Sequence, residues 1–295
     1  MATVYVIGLG SMGLGMALSL LRARHDVYGL DLNAGQVAKL TEAGGHALTR
    51  EAPKADALVC VVLNAVQTEA ALFGTDGWAG HVNKGGTILS CATVSPDVAR
   101  AMEAEAQARG LHYLDAPISG GSVRAAEGAL SVMASGTPAA FDGAAEVLDA
   151  MAQTVHRLGD HAGPGSAMKA VNQLLAGVHI AAMGEALGFA TSQGLDLSRV
   201  LDVIKVSAGT SWMFENRAPH VIDADYTPRS TINIWPKDLG IVTDIAAGAG
   251  LPLPLTETAL AQYRLAAQAG LGLEDDAAIT KLVATRAGLK LPGDA

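Results

Sequence analysis

Cysteine is scarce in this sequence. There are two, Cys60 and Cys91, and both sit inside apolar, strand-like runs. A disulfide-stapled secreted scaffold is therefore excluded, and the pair reads as buried thiols in a reducing cytoplasm. Charge is scarce too, at 17% of residues, and cations are outnumbered: 20 Lys and Arg stand against 29 Asp and Glu, a net charge of −9. Such a chain suits neither nucleic acid nor an anionic membrane surface as a partner. A small acidic substrate stays open, because one local lysine can attract it. No uninterrupted apolar run reaches the roughly 18 residues of a membrane span. The longest candidate is broken by Lys169, Asn172, Gln173, His179 and Glu185, so no membrane partner is expected. Met1-Ala-Thr-Val-Tyr5 runs directly into a strand pattern, which leaves no secretory n-region. The eight histidines show no metal-ligand spacing, so no metal is expected. Neither an internal repeat nor a low-complexity linker is present.

Apolar residues, at 50% of 295, are plentiful enough for two domains, each with its own core. Thr3 to Ile7 is a short run rich in β-branched residues, hence a buried strand. It ends in Gly8-Leu9-Gly10-Ser11-Met12-Gly13, and a helix pattern follows from Leu14 to Ala23. This is the G-x-G-x-x-G fingerprint between a strand and a helix. Gly8 makes the tight turn, Gly10 lets the backbone approach a pyrophosphate, and Gly13 lets the helix pack on the strand. The helix N-terminus then faces the phosphates. A second strand, Val27 to Leu30, ends at Asp31 and Leu32, about twenty residues on, where the fingerprint expects an acid. A carboxylate there accepts ribose hydroxyls and repels a 2′-phosphate, so the cofactor expected is NAD.

Strands and helices alternate beyond this point. Ala57 to Leu63 is a strand leading to Asn64, with a helix to Phe73. Gly86 to Cys91 is a strand leading to Thr93, with Ser95 and Pro96 opening a helix. The alternation predicts a parallel, doubly wound sheet of Rossmann type with helices on both faces. Ligands bind such sheets at the carboxyl ends of the strands. Leu63, Asn64 and Thr93 are therefore placed beside the nicotinamide, the alternative for Thr93 being a simple turn residue. Tyr113 to Asp115 ends a further strand and leads into Ser119-Gly120-Gly121, which is an anion nest for a carboxylate or else an ordinary glycine turn. Strands over Leu130–Ala134 and 154–158 flank a helix over 139–151 and complete a first domain, 1–163.

From 164 the pattern is helical to the end. A helix over 166–193, roughly 40 Å long, links the two domains. Its first turns carry Ser166, Lys169, Asn172 and Gln173 on one face. A lone lysine beside carboxamides on a buried helix is costly unless it works. It reads either as a group for proton chemistry at a domain seam or as a lysine snorkelling to solvent. Helices also fit 197–206, 239–249, 256–269 and 277–286, with Ser211 to Arg217 lying between elements.

These stretches together resemble the β-hydroxyacid dehydrogenase family over the whole chain. Four motifs stand in family order: Gly8 to Gly13, Asp115 to Gly121, Gly163 to Gln173, and Lys237-Asp238-Leu239. The resemblance implies an NAD-binding Rossmann domain and an all-α C-terminal domain joined by the long helix, with the active site between them. It implies Lys169 as the catalytic acid/base, Ser119, Gly120 and Gly121 as the carboxylate site, and Asn172 or Gln173 as the substrate amide. Lys237 would reach the nicotinamide. An ordinary lysine titrates near ~10.4, so one that serves as a base must be shifted down by burial. Two departures stand out: Asn172-Gln173 replaces an Asn pair found in some relatives, and Arg24 occupies a common turn-glycine position, so the loop before the second strand is expected to be either strained or reshaped. The tracts Val171 to Ala181 and Ser211 to Arg217 resemble the L-threonate dehydrogenase branch. The expected partner is thus a short hydroxy acid, a four-carbon sugar acid such as L-threonate ahead of 3-hydroxyisobutyrate or tartronate semialdehyde. Trp212 and Phe214 would either wall its pocket or pack in the core, and Asn216 and Arg217 would either bind its extra hydroxyls or lie at the surface. A homodimer or homotetramer is expected. The competing class is a nucleotide-binding regulator without catalysis.

Overall fold

The computed structural model describes residues 1–294, which divide into two compact units, Met1–Lys169 and a second from Ala170 onward. The expected division was at 163/164. The first turn of the long helix packs with the first unit, whose Asp115 and Ser135 accept its N–H groups.

In the first unit six strands form one parallel sheet: β1 (Thr3–Ile7), β2 (Asp26–Leu30), β3 (His46–Ala47), β4 (Ala55–Cys60), β5 (Val82–Ser90) and β6 (His112–Asp115). Their order is β3-β2-β1-β4-β5-β6, the doubly wound order with its switch point between β1 and β4. Side chains alternate between two buried faces, as a period of two requires. Val4, Val6, Val59, Leu89 and Leu114 pack on one face with Met16 and Leu20 of α1 (Gly13–Arg22). Tyr5, Ile7, Leu58, Cys60, Ile88 and Tyr113 pack on the other. There they meet Leu72 of a helix over Ala65–Phe73 and Ala99 and Met102 of another over Pro96–Ala108. The last pairs of the ladders are Ile7 with Leu30, Ile7 with Cys60, Cys60 with Ser90, and Ser90 with Asp115. Five strands therefore end in register, and the loops that follow them share one edge.

The strands expected at Leu130–Ala134 and 154–158 are present, the second as Ala152–Arg157. They form a separate three-stranded sheet with the short strand Ile118–Ser119. Pro117 lacks the N–H that β6 would need to continue. The chain turns there, and Ile118–Ser119 pairs antiparallel with Leu130–Ala134. A helix over Gly121–Glu127, unread in the sequence, fills the connection. Arg24 lies at φ +65°, so the turn before β2 carries the strain expected of a side chain in the left-handed region.

In the second unit the helices are Leu197–Ile204, Trp212–Ile222, Ile234–Gly248, Pro254–Ala266 and Ile279–Ala287, together with most of the long helix Pro164–Ser192. The helix over Trp212–Ile222 replaces the irregular passage expected at 211–217. Pro219 argues against a helix in sequence, but Ser211 caps its start by accepting the Phe214 N–H at 3.0 Å. The long helix passes the length and composition test for a membrane span. Its Ile180, Met183 and Leu187 instead belong to the core of the second unit, with Trp235, Leu239, Tyr263 and Ile279. Gly177, Gly184 and Gly188 are contact points within that core. A Cβ on them would lie 2.9 Å from Trp235, 2.8 Å from Ile279 and 2.6 Å from Val283 side-chain atoms.

Candidate active site

The fingerprint turn sits at the carboxyl edge of the sheet. Gly8 has φ +91° and donates its N–H to Leu30 O at 2.8 Å. A Cβ on Gly13 would stand 1.8 Å from Gly8 O, so the helix start presses directly on the turn. A Cβ on Gly10 would meet nothing within 4 Å, which leaves that backbone open to a ligand. Met12 caps α1 without a side-chain hydrogen bond, and the first turn carries no acid. Ser11 is exposed, whereas the Leu9 side chain is buried in the core, so Leu9 offers only its backbone. Asp31 does more than stand at the end of β2. Its carboxylate accepts the Leu9 N–H at 2.6 Å and the Asn33 N–H at 2.7 Å, tying the glycine turn to the second strand. Each oxygen keeps a further lone pair for a ribose hydroxyl. Leu32 beside it is fully exposed.

Further along that edge, Asn64 is committed to local structure in a way the sequence did not reveal. Its Oδ1 caps the helix over Ala65–Phe73 by accepting the Gln67 N–H at 2.9 Å, and Gln67 Oε1 in turn accepts the Leu63 N–H at 2.9 Å. Thr93 is half-buried in the turn after β5, two residues before the Ser95 cap of the next helix.

Beyond β6 lies the densest polar cluster. Lys169 is 8% exposed, and its Nζ donates to Ile118 O at 2.9 Å. Ser119 follows Ile118 directly, then Gly120 at φ +139° and Gly121 at φ +77°, conformations that favour glycine. Lysine, serine and glycine turn are thus brought together, as the motif order suggested. Sequence reasoning gave no role to Asp115, Ser135 or Glu103, which surround the start of the long helix. Asp115 is buried, and desolvation holds its carboxyl above the usual carboxylate range even though Ser166, Gly163 and Ser135 hydrogen-bond to it. Burial also pushes the Cys60 thiol up to about 12, which leaves it inert.

In the second unit Gln173 Nε2 donates to Asp238 Oδ2 at 2.5 Å, and Asn172 Nδ2 donates to Gln173 Oε1 at 2.9 Å. Lys237 Nζ pairs with Asp238 Oδ1 at 2.6 Å. Gln173 is occupied at both ends, whereas Asn172 keeps its carbonyl oxygen and one N–H. The Lys-Asp-Leu motif could have pointed to Asp238, but only its lysine drew attention. The residues read as pocket wall or core, and as hydroxyl ligands or surface, divide as follows in the structure. Phe214 is core, Trp212 is exposed, Asn216 is exposed, and Arg217 Nε pairs with buried Asp276 at 2.5 Å. A groove of about 1040 Å³ in this unit, lined by His179, Phe189, Arg199 and Val203 among others, includes none of Asn172, Gln173 or Lys237. Among the described residues no group of three or more His, Cys, Asp or Glu is gathered for a metal ion.

Residues 3–159 match the family described as the NAD binding domain of 6-phosphogluconate dehydrogenase. Residues 163–283 match that described as NAD-binding of NADP-dependent 3-hydroxyisobutyrate dehydrogenase. The sequence is 46% identical over 294 residues to an L-threonate dehydrogenase of Escherichia coli O6:H1, covering 98% of this chain and 96% of that protein. It is 45% identical to an L-threonate dehydrogenase of Cupriavidus necator, covering 98% of each. The chain belongs to the β-hydroxyacid dehydrogenase family. A crystal structure of 3-hydroxyisobutyrate dehydrogenase from Salmonella typhimurium is similar at TM-score 0.90 and 47% identity, covering 95% of this chain and 99% of that one. This β-hydroxyacid dehydrogenase is an NAD-dependent oxidoreductase that acts on the CH–OH group of a small hydroxy acid. The reading as a non-catalytic regulator falls with that result. The open backbone at Gly10, the uncapped start of α1 and the lone pairs of Asp31 fit the dinucleotide.

Gly10→Ala tests where the dinucleotide lies. Its methyl enters open space, so the melting temperature should move by no more than about 2 °C. NADH affinity, read by fluorescence titration, should fall about tenfold or more, which is ~1.4 kcal/mol. Unchanged affinity would place the pyrophosphate elsewhere.

Proposed function

We propose that the protein oxidises L-threonate to its 2-keto acid, with Lys169 as acid/base. The observation that carries the mechanism is the buried amine of Lys169, hydrogen-bonded to Ile118 O beside the Ser119-Gly120-Gly121 turn. The turn and the Ser119 hydroxyl hold the substrate carboxylate. The neutral amine then accepts the hydroxyl proton as the C–H bond breaks. In the reverse direction the ammonium returns that proton to the alkoxide oxygen. When bound, the nicotinamide supplies the acceptor for the hydride. Asn172, with its free carbonyl oxygen and N–H, binds a substrate hydroxyl, and Gln173 holds Asn172 in place. Gly8, Leu9, Gly10, Ser11, Met12 and Gly13 cradle the pyrophosphate through their backbone, and Asp31 and Leu32 flank the adenosine ribose. Leu63, Asn64 and Thr93 border the nicotinamide through their backbone and outer atoms, and Lys237 contributes a cation toward the cofactor.

Two relatives of 45–46% identity carry the L-threonate name, which supports that acid. A second reading, 3-hydroxyisobutyrate, is supported by the similar Salmonella typhimurium enzyme, which carries that acid's name at 47% identity. Asp31 with uncharged Leu32 and Asn33 supports NAD over NADP, since neither Leu32 nor Asn33 supplies a cation for a 2′-phosphate. Exposed Phe189, Leu195, Val203 and Val206 support a homodimer or homotetramer through the helical unit.

Lys169→Ala should lower kcat by about 10²–10⁴-fold, with NADH affinity nearly unchanged. Near wild-type turnover would remove Lys169 from the mechanism. Values of kcat/KM across L-threonate, D-threonate, D-erythronate, D-glycerate and 3-hydroxyisobutyrate should rank L-threonate first with NAD as cofactor. A tenfold preference for another acid, or for NADP, would overturn the respective assignment. Light scattering should give a multiple of the chain mass, and a monomer at every concentration would refute assembly.

A further inference from the structure

A helix begins with N–H groups that have no partner inside it, and a side chain at the N-cap normally takes one of them. The cap of the long helix is Gly163, which has no side chain to offer. Pro164 has no N–H. The rest of the turn is satisfied from a distance. Ala162 N donates to Glu103 Oε2 at 3.1 Å, and Gly163 N to Asp115 Oδ2 at 3.0 Å. Gly165 N donates to Ser135 Oγ at 2.9 Å, and Ser166 N to Asp115 Oδ2 at 2.8 Å. Ser166 Oγ donates to Asp115 Oδ1 at 2.7 Å and Ser135 Oγ to Asp115 Oδ2 at 3.3 Å. The first bond within the helix, Ala167 N to Gly163 O at 2.8 Å, comes only after these. A Cβ on Gly165 would lie 2.5 Å from Met133 O and 2.7 Å from Asp115 O, so the helix start is also pressed against the strands that hold it.

Asp115 is three residues before Ile118, whose carbonyl receives the Lys169 amine. One short stretch of chain therefore grips the helix twice, at its first N–H groups and at the amine one turn later. We infer that Asp115, assisted by Ser135, is a positioning residue for Lys169: it sets where the helix starts, and so where the amine points. The inference rests on the reading of Lys169 as the acid/base. A helix that started one residue later would rotate the lysine by about 100° and carry it ~1.5 Å along the axis. A misplacement of about 1 Å at a reacting group can cost about 100-fold in rate.

The test uses the full chain with Asp115→Ala, Asp115→Asn, Ser135→Ala and Lys169→Ala. Turnover is expressed per NADH-binding site, and amide exchange at 162–166 is followed without cofactor. Asp115→Ala should lose protection at Gly163 and Ser166 and about 100-fold in kcat, while KM and NADH affinity stay within about threefold. Asp115→Asn keeps an acceptor for both backbone N–H groups, and its amide can donate to Ser166 Oγ. It should recover kcat to within about fivefold of the wild type. Ser135→Ala, the milder change, should expose the Gly165 amide and lower kcat about fivefold. The inference is overturned if Asp115→Ala keeps kcat per site within about twofold, or if kcat and NADH affinity fall together while KM rises, as a general loosening of the fold would give. Should Asp115→Ala not fold, a Ser135→Ala enzyme with exposed Gly165 but undiminished kcat overturns it equally. Lys169→Ala separates the two readings. If it loses turnover while Asp115→Ala does not, only the positioning role falls; if it keeps turnover, the acid/base assignment falls.

Discussion

A carboxylate taken out of water must be surrounded by donors or give up its charge. Asp115 is surrounded: two backbone N–H groups and two serine hydroxyls converge on it from the long helix and from Ser135. The bonds join the end of β6, the neighbouring small sheet and the first turn of the helix. Desolvation pushes the carboxyl up and the four donors pull against it, so the cluster is costly to disturb from either side. The helix start and Lys169 consequently belong to the dinucleotide-binding unit, although the same helix continues as the core of the helical one.

The sheet supplies the second constraint. Because its strands end in register, the glycine turn, Asp31, Asn64 and Thr93 all emerge at one edge. The turn is held from below by Gly8 N on Leu30 O and from the side by Asp31 on Leu9 N. A loop stiffened in this way needs little reordering when a ligand arrives. Asn64 shows the economy of such an edge, with its side chain closing the first turn of the following helix.

In the helical unit polar side chains lock one another. Gln173 joins Asn172 to Asp238, and Asp238 in turn holds Lys237. Arg217 and Trp235 both bind Asp276, while His220 and the backbone of Arg229 bind Asp275. These pairs explain why Arg217 is tied to its own core. In sequence it stands in a polar run that looks available for a ligand, and nothing local reveals that its partner lies 59 residues away.

Short-range chemistry was legible in the sequence. The β–α alternation, the glycine turn and its acid, and the Ser95-Pro96 helix start all follow from neighbouring residues. Motif order was enough to bring Lys169 to the Ser-Gly-Gly turn. The sequence by itself did not show that the strands after Pro117 leave the main sheet, that 212–222 is helical despite Pro219, or which amide is free. Those outcomes depend on partners distant along the chain: Ser211 capping aside, a helix containing proline persists only if its buried face is covered, and Gln173 is occupied only because Asp238 folds beside it. The start of the long helix makes the division plainest. Sequence marks a break at Gly163-Pro164-Gly165, with no local cap. Tertiary structure turns that break into the first turn of a helix, because buried Asp115 and Ser135 supply the acceptors that the local chain lacks.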